Sequence, residues 1–192
     1  MESGLMVCGD ARMPSYVNHL KQADILYRMT PTQLEMVGTI CQERTYNAGE
    51  IIFPEGAGSD ELFIIIEGEV KIVVNPTLIN NDPPKQPPAN TIATLRRGQS
   101  FGEVALVDRG LRSATALAAQ NNTRLLVIPS NRLLQLCETY PQFGYRLMHN
   151  LAADLALKIR NTNLRFREEL LTRDKEKFHN GKFPLDVPEH SQ

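Results

Sequence analysis

From Gly49 to Ile128 the sequence is a succession of short apolar runs cut by glycine and proline, and this punctuation restricts the fold more than any other feature. Ile51-Ile52-Phe53 stops at Pro54-Glu55-Gly56. Leu62 to Ile66 and Val70 to Val74 flank Glu67-Gly68-Glu69, a spacing that predicts a tight hairpin. Ile92 to Leu95, Ala114 to Ala118 and Leu125 to Ile128 supply further strands. Between them, Asn75 to Asn90 holds Pro76, Pro83, Pro84, Pro87 and Pro88 among asparagines. Proline removes a ladder donor, so this stretch is expected to be a long exposed loop joining two strands. Several short strands at close spacing favour an antiparallel barrel or jelly roll.

Helical spacing brackets this region. Tyr16 to Tyr27 carries apolar residues at Tyr16, Val17, Leu20, Ala23, Ile25, Leu26 and Tyr27, which predicts a first helix. Thr30 before Pro31, with Gln33 beyond, predicts a capped second helix bearing Leu34, Val37, Ile40 and Cys41 on one face. After Ile128, Ser130 is expected to cap a helix holding Leu133, Leu134, Leu136 and Cys137. Tyr140-Pro141 breaks it and starts a longer one, in which Leu147, Leu151, Leu155 and Ile159 step by four toward Phe166 and Leu170. The fold class is therefore α+β: an antiparallel, jelly-roll-like β-roll with N-terminal helices and a C-terminal helical lid that includes a long helix. The expected division is a tail over 1–15, a domain over 16–171 and a polar tail over 172–192. Within the domain the roll spans about 48–129 and the C-terminal helices about 130–171.

Residues 101–115 carry the chemistry. Gly102 and Glu103 open one helical turn, a loop with Gly110 follows, and Arg112 then enters a strand of small residues. A helix N-terminus offers unpaired N–H groups and the positive end of a dipole, which suits an anion. The planar fork of arginine adds two charge-assisted bonds to the same anion. A carboxylate only accepts hydrogen bonds, so Glu103 calls for a hydroxyl-bearing ligand or a cation. A phosphate beside a ribose hydroxyl meets all three conditions. Gly102 removes a Cβ where the backbone would approach a sugar. A structural ion pair between Glu103 and Arg112 is the alternative.

Three blocks precede this segment in order: residues 48–56 (Ala-Gly-Glu-Ile-Ile-Phe-Pro-Glu-Gly), Asp60-Glu61-Leu62-Phe63 and Gly68-Glu69-Val70. With Leu95 to Ser100 and the segment itself, they resemble the opening strands and phosphate-binding cassette of the cyclic-nucleotide-binding domain family. That family includes kinase regulatory subunits, the catabolite activator protein and gated channels. The resemblance covers roughly residues 20 to 165. It implies that Glu103 binds a ribose 2′-hydroxyl and Arg112 the cyclic phosphate, while Phe101, Gly102, Val104, Ala105, Ser113 and Ala114 complete the cradle. Leu111 stands where eukaryotic members usually have proline. Ser113 stands where members divide among alanine, serine and threonine, so the base stays open between adenine and guanine. Lys158-Ile159 occupies the place of the Thr-Ser pair with which the catabolite activator protein caps adenine, leaving Asp154, Lys158 and Asn161 as candidate base contacts.

The remaining features argue by exclusion. A net charge of −1 over 192 residues gives no basic bias toward nucleic acid. Lys158, Arg160, Arg165, Arg167, Arg173, Lys175 and Lys177 cluster, but interspersed acids make a solvated helix face the better reading than DNA contact. Cys8, Cys41 and Cys137 fit neither a zinc pattern nor a disulfide framework, so reduced thiols in a cytoplasmic protein are expected. No apolar stretch approaches the roughly 20 residues that span a bilayer. His19, His149, His179 and His190 all lie outside the predicted roll, so a metal site of the cupin type, or any metal cofactor, is not expected. No serine elbow or Cys-His pair is evident. Glu50, Glu55 and Asp60 read as turn and solvated charges.

The function expected is therefore non-enzymatic: a sensor of cyclic AMP or cyclic GMP acting in signal transduction through an effector protein or self-association. Its rival is an interaction module that keeps the fold without binding nucleotide. No room is expected after Leu171 for a helix-turn-helix. The leucine steps of the last helix read first as a core-facing stripe, with a homodimer seam as the sharper alternative.

Overall fold

The computed structural model describes residues 16–58, 60–74 and 90–179, the side chains of Ala105 and 173–179 excepted. The expected tail over 1–15, residues 180–192 of the expected tail over 172–192, and residues 75–89 of the proline-rich loop lie outside the described residues. Helices α1 (Val17–Leu20) and α2 (Pro31–Gly38) precede strands β1 (Gln42–Tyr46), β2 (Ile51–Phe53), β3 (Glu61–Glu67), β4 (Glu69–Val74), β5 (Asn90–Arg96) and β6 (Ser100–Phe101). Helix α3 (Glu103–Asp108) is followed by β7 (Thr115–Ala118), β8 (Thr123–Pro129), α4 (Ser130–Thr139) and α5 (Pro141–His179).

Two four-stranded antiparallel sheets result, in the orders β1-β8-β3-β6 and β2-β7-β4-β5. The continuous apolar runs of β3 and β8 are explained by burial on both faces. Phe63, Ile65, Leu125 and Val127 turn inward to meet Val70, Leu95 and Ala116 of the second sheet. Leu62, Ile64, Ile66, Leu126 and Ile128 turn the other way, onto Leu20, Ile25, Leu26, Leu34, Val37, Leu133, Phe143, Leu147 and Leu151. One sheet is thus sandwiched between a second sheet and a helical layer.

The helical layer differs from the sequence expectation in two places. The predicted first helix is interrupted: α1 covers four residues and Asp24–Leu26 forms a 3-10 turn. This turn is clamped from two sides. The Asp24 N–H donates to the Gly98 carbonyl at 3.1 Å, and Asn150 Nδ2 of α5 donates to the Ile25 and Tyr27 carbonyls at 3.0 and 2.9 Å. Ser130 is the first residue of α4 and does not cap it; Pro129 holds the cap position, and Ser130 Oγ is buried without a hydrogen-bond partner among the described residues. The Thr30 cap of α2 does form. Thr30 Oγ1 accepts from the Gln33 N–H at 3.3 Å, and Gln33 Oε1 accepts from the Thr30 N–H at 2.9 Å.

The roll also begins at β1, earlier than residue 48. This strand is polar, Gln-Glu-Arg-Thr-Tyr, and pairs with β8 along its whole length at the sheet edge, with side-chain charge added. Arg124 of β8 reaches Glu43 at 2.6 Å and Glu67 of β3 at 3.0 Å, bracing three neighbouring strands. Helix α5 continues past Leu171 to His179. Contacts divide the chain into two units, one ending at Leu151 and a second beginning at Ala152. Within the second, Lys158 pairs with Asp154 at 2.7 Å, four residues apart on the helix. The thiols of Cys41 and Cys137 are free, and burial pushes that of Cys41 up to about 12.

Gly68 closes the β3–β4 hairpin at φ 84°, a conformation that favours glycine. A Cβ there would also lie 2.9 Å from the Thr123 Cα. Backbone strain and that clash act together, so Gly68→Ala is expected to cost about 1–3 kcal/mol. The loss is measured as a lowered midpoint in urea at unchanged slope.

Candidate functional site

The turn from β6 into α3 sets the site. Gly102 sits at φ 82° and ψ 7°, left-handed, and reverses the chain so that α3 starts directly behind Phe101. Asp108 closes the far end by accepting the Gly110 N–H at 2.8 Å, with Arg109 also left-handed at φ 56°. Leu111 is exposed, Arg112 turns inward, Ser113 faces out and Ala114 is buried. The inward turn of Arg112 is locked by backbone pairing with the loop after β2. Its N–H donates to the Ala57 carbonyl at 2.9 Å, and its carbonyl accepts the Gly56 N–H at 2.8 Å.

Arg112 is only 5% exposed, an unusual position for a guanidinium. Nη1 donates to the Gly102 carbonyl at 3.1 Å and Nη2 to the Glu61 carbonyl at 2.8 Å. The guanidinium carbon lies 4.0 Å from the centre of the Phe53 ring and 5.4 Å from that of Phe63. Nε is buried and has no hydrogen-bond partner among the described residues. Burial lowers the pKa of the side chain from its ordinary value, and the carboxylates of Glu61, Asp60 and Glu103 oppose that shift. Glu103 itself is 4% exposed, so a carboxylate and a guanidinium are enclosed within the same small region.

The glycine preceding Glu103 has a structural reason besides the one expected. A Cβ on Gly102 would fall on Arg112 Nη1 and come within 3.2 Å of the Glu61 carbonyl oxygen. Space is kept there for the arginine, before any sugar is considered. Phe101 is buried and stacks on Phe63 with ring centres 5.0 Å apart, its place fixed by the β3–β6 pairing. Val104 is partly exposed, and the Ala105 side chain lies outside the described residues.

Three residues near the arginine were not singled out as site residues from sequence. Phe53 and Phe63 form its aromatic floor, and Glu61 lends it a carbonyl. Glu61 is itself fixed, because both its carboxylate oxygens accept from the two terminal nitrogens of Arg44 on β1. Glu50, by contrast, serves a turn, as expected: it accepts the Asn47 N–H at 2.8 Å. Among the described residues, no group of histidine, cysteine and carboxylate side chains is arranged to hold a metal ion. No described helix is long and apolar enough to cross a membrane.

The sequence is 30% identical over 145 residues to the cyclic AMP receptor protein of Thermus thermophilus, across 76% of this chain and 61% of that protein. It is 29% identical over 132 residues to human cGMP-dependent protein kinase 2, across 69% of this chain and 16% of the kinase. The chain thus spans less than two thirds of either relative's length. A crystal structure of a cyclic nucleotide-binding domain from Methylobacillus flagellatus shares the fold, with a TM-score of 0.67 at 21% identity over 81% of this chain and 86% of that one. The family model for the cyclic nucleotide-binding domain matches residues 43–140. That span holds both sheets, the glycine turn and the seat of the arginine, and by it the chain belongs to the cyclic nucleotide-binding domain family.

Proposed function

We propose that this chain is a non-enzymatic sensor of a 3′,5′-cyclic nucleotide, cyclic AMP ahead of cyclic GMP, that acts through a partner protein or through self-association. One observation carries the reading: Arg112 is buried with its terminal nitrogens on backbone carbonyls and its Nε–H unpartnered among the described residues, beside the buried Glu103. A dehydrated cation with a spare donor favours an anionic ligand, and a buried carboxylate beside it favours a ligand hydroxyl. The names of the two relatives, one for cyclic AMP and one for cyclic GMP, support the ligand class.

In this mechanism the ligand phosphate docks on Arg112 and on the N–H groups at the start of α3. Glu103 accepts the ribose 2′-hydroxyl, and Phe101, Gly102, Val104, Ala105, Ser113 and Ala114 frame the cradle. Occupancy draws the cassette inward and lets the helical lid that starts at Ser130 repack over the base. The size of the response is set by the difference in affinity between the two arrangements.

A specific observation supports output by self-association. In the second unit of the chain, Ile159, Phe166 and Leu170 are 44–61% exposed on the helix face that Leu155 begins. Leu151, four residues earlier, is buried in the core of the first unit and is not available to such a seam.

Two expected outcomes test these readings. By titration calorimetry, Arg112→Ala should weaken cyclic nucleotide binding by about 2–5 kcal/mol, the range for removing one partner of a buried charged contact. Glu103→Ala should weaken it less and reduce the preference for ribose over 2′-deoxyribose ligands. If neither nucleotide binds the wild type at millimolar concentration, the sensor reading fails and the interaction-module reading takes its place. By sedimentation, the wild type should be a dimer and Phe166→Asp a monomer; a wild type that stays monomeric removes the seam.

A further inference from the structure

Phe53 lies on the short edge strand β2, on the opposite sheet from Phe63 and Phe101. The three rings meet across the interior of the roll. Phe53 is tilted at 5.5 Å from Phe63 and 5.8 Å from Phe101, while the latter two are stacked. Of the three, Phe53 is nearest the arginine, with the guanidinium carbon 4.0 Å from its ring centre. Phe63 and Phe101 are almost fully buried, whereas Phe53 is only partly so. It packs against the core without being enclosed by it.

We propose that Phe53 is a positioning residue for Arg112, holding the guanidinium flat on the face of its ring so that anion affinity depends on the ring's π-density and not on its volume. The proposal rests on the nucleotide-binding reading above and deepens it. A cation removed from water needs compensation, and three kinds of partner are available to it. A carboxylate in contact would compensate best but would compete with an anionic ligand for the same charge. Carbonyl oxygens satisfy two donors, at Gly102 and Glu61, but meet the edge of the guanidinium and cover neither face. An aromatic face stabilises the cation while leaving its positive charge free for an anion. It also fixes the plane of the fork, so that less ordering remains to be done when the ligand arrives. Simple core filling makes the opposite demand, because leucine would then serve nearly as well as phenylalanine.

The test has a ligand-free arm and a ligand arm, on the full chain. In the free protein, the proton NMR signal of the Arg112 Nε–H, assigned by its loss in Arg112→Lys, should be displaced by the ring current of Phe53. It should move toward the ordinary arginine position in Phe53→Leu. In the ligand arm, cyclic AMP and cyclic GMP are titrated into wild type, Phe53→Leu, Phe53→Tyr and protein carrying 3,4,5-trifluorophenylalanine at position 53. Fluorine withdraws π-density at nearly constant shape, so the fluorinated protein also controls for misfolding of Phe53→Leu. The expected result is affinity weakened about 5- to 30-fold by leucine and by the fluorinated ring, with tyrosine restoring it. Wild-type affinity in the fluorinated protein, with binding lost in Arg112→Ala, overturns the positioning role and leaves the sensor reading intact. If no nucleotide binds the wild type, the sensor reading falls, and an Nε–H signal unmoved by Phe53→Leu then overturns the positioning role separately.

Discussion

Strand β3 is enclosed on both faces, and each face holds a different part of the molecule in place. Leu62, Ile64 and Ile66 seat the helical layer, and Phe63 and Ile65 seat the second sheet. The site depends on the same strand. Glu61 at its start supplies a carbonyl to Arg112, Phe63 supplies part of the aromatic floor, and Phe63 also sets the register of β6, which leads into the glycine turn. Burying an aliphatic or aromatic side chain of this size contributes about 1.5–3 kcal/mol, so the run from Leu62 to Ile66 contributes far more than any polar contact near it. The rigidity of the site is in this sense inherited from the hydrophobic core.

On that rigid base the protein holds a cation away from water, and it does so mainly without contact charge. Two carbonyl oxygens and the face of a ring take the place of the lost hydration of Arg112, and carboxylates act on it electrostatically from nearby. One of them, Glu61, has both oxygens engaged by Arg44. Its charge is therefore already matched on β1, while its backbone oxygen serves the arginine. Separating these two duties within one residue keeps negative charge near the guanidinium without letting it close over the site.

The parts of the molecule legible in sequence were those with a strong local cause. The Gly68 hairpin, the Thr30 capping box and the interior strands β3 and β8 all carry their reason within a few residues. Strand β1 was not legible, because its polar run pairs with β8 from more than seventy residues away and meets Arg124 there, a pairing that periodicity does not contain. Ser130 misled in the opposite direction, since a residue suited to capping lay one position inside a helix whose cap is Pro129. Around residues 101–115 the glycine turn into a short helix was readable, since Gly102 carries its cause locally. The ring of Phe53 and the carbonyl of Glu61 were not, because they reach Arg112 only through the closing of two sheets. Helix α5 was readable in kind but not in extent: leucine spacing weakens after Phe166, whereas the backbone stays helical to His179.

Gly102 and Arg112 stand ten residues apart, yet sterically they are one object. A side chain on the first would occupy the position of the second's terminal nitrogen, so the identity at 102 is dictated by what arrives later in the chain. Backbone conformation imposes the same choice independently through the left-handed turn. Replacing the arginine with a short side chain would therefore lift only one of the two restrictions and leave glycine still preferred. Glycine at this turn is consequently a poor indicator of the proposed anion site, and the arginine is the residue whose presence carries that information.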